Sequence, residues 1–166
     1  NKQIANLHKR YQNGKADKAF LLEYVNACMA AGEPMEEPFQ KYWEGIELEE
    51  QITLENLNLM RSITKGFEDP DHELFTFFLK NKKQFIEVVG EETVNPMWDG
   101  SYYGMIWRIS KTEKDGERNK KFKQAKSIFT DKKVEINELL ALNMARQSKD
   151  PEKIAVAVNA YAEVTL

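Results

Sequence analysis

Cysteine is nearly missing from this chain. Cys28 stands alone among 166 residues, so an internal disulfide, a CxxC redox pair and a thiolate zinc site have no residues to form them. Glycine and proline are scarce too, with 8 and 5, and they sit at the ends of apolar segments, where they punctuate helices. Long hydrophobic runs are missing. The longest uncharged apolar stretch is a few residues, far short of the roughly 20 that cross a bilayer as a helix. An excess of positive charge is missing as well: the net charge is −3 and the pI about 5.6, which argues against nucleic acid as a partner. No GxGxxG, GxxxxGK[ST], GxSxG or HExxH occurs, so neither a phosphate cradle, a nucleophile elbow nor a zinc-protease site has support. No segment alternates strictly between apolar and polar residues, and no strand is expected.

What is present is a well-mixed globular composition, 42% hydrophobic and 31% charged, which excludes disorder. At this length roughly 70% of the unfolded surface can be buried, so the core needs no staple. The chain is organised around residues 69–90, DPDHELFTFFLKNKKQFIEVVG. Asp69-Pro70 is a helix-start pair, with an N-cap residue followed by Pro at the first helical position. The densest apolar cluster follows, from Leu74 to Leu79 and from Phe85 to Val89, and Gly90 closes it. Asn81 predicts a break into two helices, 71–80 and 82–89, in preference to one long helix. With apolar residues on both sides, the stretch is expected to run through the middle of the fold.

Helical spacing marks the remaining segments. Ile4, Leu7, His8 and Tyr11 stripe a first helix that stops at Asn13-Gly14. Asp17 caps a second, with Leu21, Tyr24, Val25 and Cys28 on one face and Gly32 at its end. These two read as an antiparallel hairpin. A third segment, around Phe39–Trp43, ends near Gly45, and a turn is expected in or near Glu47–Glu50. Thr53 caps a fourth helix with Leu57, Met60, Ile63 and Phe67 inward. Val94, Trp98, Tyr102, Met105 and Ile109 share one face of a helix that starts at Asn95-Pro96 or one turn earlier at Glu91-Glu92. Tyr103 and Trp107 point well away from that face. Lys111–Glu117 reads as a linker turning at Asp115-Gly116. Phe122, Ala125 and Phe129 stripe a basic helix, and Ile136, Leu139, Leu140 and Asn143 the next. Asp150-Pro151 starts a last helix with Ile154, Val158, Tyr161 and Ala162 inward, making a second hairpin of 135–148 with 152–164. The fold class is therefore all-α: one domain over 1–166, nine or ten helices in antiparallel hairpins, with sub-layers of roughly 1–67 and 68–166. Small residues at the crossings (Ala30, Ala31, Ala141, Ala145, Ala155, Ala157) suggest tetratricopeptide-like packing, although no 34-residue consensus period is present.

Chemistry-bearing residues are few. Cys28 shares a face with Leu21, Tyr24 and Val25 and reads as a buried structural thiol. His8 lies on an inward stripe and His72 near a helix start. The pairs Glu36-Glu37, Glu49-Glu50 and Glu91-Glu92 fall at segment starts, where negative charge suits the helix dipole better than acid–base work. Arg118, Lys120, Lys121, Lys123 and Lys126 form one basic run, read as a solvated face, with phosphate or lipid contact as the alternative. The aromatic group Trp98, Tyr102, Tyr103 and Trp107 is the best partner-contact candidate. Trp98 and Tyr102 read as core before contact; Tyr103 and Trp107 fit either role. No cofactor or metal is expected.

Three stretches, LHKRYQNGKADKAFLLEYVNACMAAGE, DPDHELFTFFLKNKKQF with VVGEETV, and NELLALNMARQSKDPEKIAVAVNAYAE, resemble the helical region that follows the thioredoxin fold in a group of bacterial, exported thioredoxin-like proteins. The resemblance covers nearly the whole chain and lies in helix lengths, turns and aromatic positions. The family's CxxC belongs to the thioredoxin domain, so no active-site residue carries over to this sequence. The resemblance implies a non-catalytic accessory module of the periplasm or cell envelope that docks or orients a thioredoxin-fold domain or its clients. Because the first residue, Asn1, is not Met, a removed upstream segment is expected, either a signal or a domain. The residues alone also admit a free-standing tetratricopeptide-like scaffold for peptides and, with less support, an enzyme using carboxylates or His72.

Overall fold

The computed structural model describes residues 2–166. Among them are ten α-helices, one short 3₁₀ turn and no strand: α1 Lys2–Gln12, α2 Lys18–Ala31, α3 Glu36–Glu44, α4 Leu48–Gln51, α5 Leu54–Ile63, α6 Glu73–Val89, α7 Glu91–Ser110, α8 Asp115–Ile128, the turn Thr130–Lys132, α9 Ile136–Ser148 and α10 Pro151–Thr165. The all-α reading is correct. The chain forms two compact units, one of Asn1–Lys65 with Phe77–Val94 and one of Gly66–Thr76 with Asn95–Leu166.

Local chemistry sets most helix ends. The Asp17 carboxylate accepts from the Phe20 amide at 3.2 Å, and the Thr53 hydroxyl accepts from the Asn56 amide at 3.1 Å. The Asp150 carboxylate accepts from the Glu152 amide at 3.0 Å beside Pro151. Each satisfies an amide that the helix itself leaves open. Gly32, at φ 68°, ends α2, with amides donating back to Cys28 and Met29. A side chain in that backbone region would be strained.

Two boundaries, at Asp69-Pro70 and at Asp115-Gly116, differ from expectation. Asp69-Pro70 does not start α6: the Asp69 carboxylate accepts from the Asp71 amide in a tight turn, and His72 Nδ1 caps Leu74 at 3.0 Å, so the helix begins at Glu73. The turn expected in or near Glu47–Glu50 lies at residues 45–46, and the glutamates then open a short helix, α4, whose first turn they favour. Asp115-Gly116 opens α8 and does not turn the linker; the acidic first turn outweighs one glycine, and the turn lies upstream at residues 111–114. Helix α7 starts at Glu91, the earlier of the two starts expected, and carries Pro96 inside it, which forgoes a single bond near the N-terminus. At Asn81 the backbone leaves helical values (φ −109°, ψ 16°), as its sequence suggested. The kink is held by the Asn81 amide donating to the Phe77 carbonyl at 2.9 Å.

The first unit buries the α1–α2 hairpin face, with Leu7, Phe20, Leu21, Val25 and Cys28, and an aromatic chain running from Phe39 through Trp43 to Phe77 and Phe85. His8 joins the hairpin by placing Nδ1 2.5 Å from the Tyr24 hydroxyl and Nε2 against the Glu33 carboxylate. The buried Tyr42 hydroxyl donates to Asn56, whose amide donates to the Glu50 carbonyl. Of the central apolar cluster, Leu74, Phe75, Phe78 and Phe85 are buried, whereas Leu79 and Val88 are exposed.

In the second unit the α7 face Trp98, Tyr102, Met105 and Ile109 is buried, joined by Met97, Ser101 and Ile106. Phe129 packs on both Trp98 and Tyr102. The α9–α10 hairpin turns through Lys149 in the left-handed region. On α9, Leu142 is the deeper residue and Leu140 is half-buried; on α10 only Ala157 is buried and Val158 is exposed. The small side chain lets the two backbones approach and leaves the larger ones at the edge.

Candidate functional site

The four aromatic candidates on α7 part company by position. Trp98 is buried and its indole N–H donates to both Asp131 carboxylate oxygens at 3.2 Å. Tyr102 is fully buried between Phe129 and Tyr103, with the Lys132 ammonium 5.5 Å from its ring centroid. Both side chains lie in the core, the role that their spacing favoured over partner contact. Tyr103 and Trp107, one helical turn apart on the other flank, are 46% and 38% exposed. Aromatic side chains are enriched at contact surfaces relative to the rest of a protein surface.

The two line a groove of about 590 Å³ whose other walls come from α9 (Leu139, Leu142, Asn143, Arg146) and α10 (Val158, Tyr161). Its floor is apolar. Asn143 is 5% exposed, and its amide has no hydrogen-bond partner among the described residues. Arg146 is the one side chain in the lining that carries a formal charge. The Lys111 ammonium lies 5.0 Å from the Trp107 ring centroid, a cation–π contact at the rim. Ser110, bonded to the Trp107 carbonyl and to Gln147, ties the end of α7 to α9 and steadies the wall.

Beside the groove, across Tyr103 and Tyr161, lies a second hollow of about 320 Å³ with Asp131, Lys132 and Glu135. The Tyr161 hydroxyl donates to Glu135 at 3.0 Å. Burial, then this bond and the Glu135 charge, push the Tyr161 phenol well above its ordinary range. Burial and the same carboxylate do so for Tyr102, whose hydroxyl has no hydrogen-bond partner among the described residues. Lys132 bonds Asp99 at 2.6 Å. Burial works against its charge, but Asp99, Asp131 and Glu135 outweigh that and its pKa is raised.

The basic run lies apart from this groove. Lys120, Lys121, Lys123 and Lys126 are exposed along α8, with Lys121 paired to Glu117 at 3.2 Å and Lys126 over the Phe122 ring. Arg118 is held by the Thr112 carbonyl and Asp115. Lys121 also borders a smaller hollow of about 240 Å³ with Glu68, Asp69, Asp71 and Arg108, where opposite charges offset each other. Cys28 is fully buried, and burial raises its thiol pKa, so it has neither the access nor the thiolate character of a reactive cysteine. His72 is engaged in its cap. Among the described residues no three His, Cys, Asp or Glu side chains gather as a metal site, and no helix is long and apolar enough to cross a membrane.

Sequence spacing separates Tyr103 and Trp107 from the core face but gives no hint of Asn143 or Arg146 as their neighbours, because those lie 40 residues along the chain. Asn143 reads from sequence as one more position of an inward stripe. No protein-family model matches the chain, and neither a curated protein nor a solved structure matches it.

Proposed function

We infer that this chain is a non-catalytic interaction module whose contact surface is the groove between α7 and the α9–α10 hairpin. In keeping with its resemblance to the helical region of exported thioredoxin-like proteins, the partner is a thioredoxin-fold domain or one of its clients, met in the periplasm or cell envelope. The observation that carries this reading is the pair Tyr103 and Trp107. Both are half-exposed on one flank of a helix whose opposite flank is buried, and both open onto an apolar groove. Exposed aromatic anchors beside an apolar pocket are what a protein contact needs, and they need no catalytic group. A free-standing tetratricopeptide-like peptide scaffold is the second reading, favoured by the groove's position along the α9–α10 helical hairpin.

The test is docking of a thioredoxin-fold protein of the exported group, measured by calorimetry. Tyr103→Ser with Trp107→Ser should weaken docking at least tenfold while the melting temperature stays within a few degrees of the parent. A large drop in melting temperature with docking unchanged returns both residues to a purely structural role. A disulfide reductase assay on the chain by itself should be blank, and appreciable turnover refutes the non-catalytic reading.

A further inference from the structure

We propose that the groove holds an extended peptide segment of about five residues with an aliphatic centre, a carboxylate at one end and a cationic group at the other. This rests on the reading of the groove as a contact surface and names what fills it.

Three observations converge. Asn143 comes first. A side-chain amide offers a donor and an acceptor side by side, and one that lines a groove without a protein partner is free to pair with a ligand there. Asn143 is 5% exposed, has no partner among the described residues, and lines the groove. The group that complements it is another amide, and a peptide main chain supplies one N–H and one C=O per residue. A hydrocarbon ligand or lipid tail would leave it unpaired.

The second observation is the wall around that amide. Leu139, Leu142 and Val158 form an apolar bed, which takes an aliphatic side chain of the same segment.

Third is the polarity along α9. Glu135 stands just before the helix, in the hollow that shares Tyr103 and Tyr161 with the groove, and Arg146 lies in its last turn. Arg146 makes no ion pair with any described residue. At 1.5 Å per residue the two charges are about 16 Å apart along the helix, which an extended chain at roughly 3.4 Å per residue spans in about five residues. The surface therefore runs from an acidic end to a basic end, with the amide and its apolar bed between them. A bidentate guanidinium is well suited to a carboxylate. The complementary peptide carries its charges in the opposite order.

Two synthetic peptides of one composition, acetyl-Lys-Ala-Leu-Val-Glu-amide and acetyl-Glu-Val-Leu-Ala-Lys-amide, test this by calorimetry against the full chain. One should bind at least tenfold more tightly than the other, and which one reports the direction in which the segment lies. Arg146→Glu should erase that preference. Asn143→Leu keeps the side chain's size and removes the amide, so it should weaken binding at least tenfold while the melting temperature stays within about 2–4 °C of the parent. A merely structural asparagine would show the reverse pattern, a lower melting temperature with binding intact.

Equal binding of the two peptides, or binding that Asn143→Leu leaves untouched, overturns the proposal. Should neither peptide bind while the Tyr103 and Trp107 substitutions still abolish docking of the thioredoxin-fold protein, the contact surface stands and the extended-segment occupant falls. If docking is unaffected as well, both readings fall together.

Discussion

At the scale of single residues, two glycines on one helix make opposite demands. Gly100 and Gly104 both lie inside α7, where glycine is about 1 kcal/mol worse than alanine. A Cβ at Gly100 would meet nothing within 4 Å, whereas one at Gly104 would come within 2.6 to 2.9 Å of the Glu68 side chain, including its Cγ. Gly100→Ala should therefore stabilise the chain by about 0.5–1 kcal/mol. Gly104→Ala should gain less or lose outright, since Glu68 must move. Thermal unfolding of the two variants side by side checks this, and equal gains would mean that Glu68 yields freely. The same scale explains why Cys28 is inert. Its side chain sits in the α1–α2 hairpin beside Tyr24, whose phenol is pushed up to about 12, first by burial. His8 bridges Tyr24 and Glu33 across that hairpin, so the polar residues there hold the helices together.

At the scale of elements, the two Asp-Pro pairs look alike in sequence and differ in structure. Asp150 caps α10, with Pro151 at the first helical position; Asp69 closes a turn, and the helix waits for His72. Asp150→Ala should cost about 1 kcal/mol and speed amide exchange in the first turns of α10 about fivefold. Asp69→Ala should cost well under half of that and leave α6 exchange unchanged. Hydrogen exchange of the two variants decides it; equal protection losses would show that both aspartates cap. Legibility follows the same line. The caps at Asp17, Thr53 and Asp150 and the break at Asn81 could be read because donor and acceptor lie within a few residues of each other. The true start of α6 could not, because an Asx turn and an N-cap use the same residue type. Of the groove, its exposed aromatic wall could be read from periodicity. Its other walls could not, since only tertiary packing decides that Leu142 is deeper than Leu140, or that Asn143 ends without a partner.

At the scale of the whole molecule, the chain depends on phenols that must stay neutral. Tyr24 in the first unit and Tyr102 and Tyr161 in the second all have raised pKa values, with burial the largest cause in each. In the unfolded chain a tyrosine ionises near pH 10. The folded state thus keeps protons that the unfolded state releases, so the stability these groups contribute is fully present below about pH 10. It is lost as pH rises from there towards the folded values, about 12 for Tyr24. Each unit holds at least one such phenol, so alkali should unfold both, and neither should persist alone far above that range. Tyrosinate absorbance followed together with helical circular dichroism tests this. The buried phenols should ionise only as helicity falls, in one linked transition that is steeper than free tyrosine. A gradual, independent ionisation with helicity intact would mean that water reaches these hydroxyls in the folded state. Tyr161→Phe sharpens the reading, because it deletes one titrating group together with its bond to Glu135. That variant should lose a little stability at neutral pH and lose less than the parent on passing into alkali.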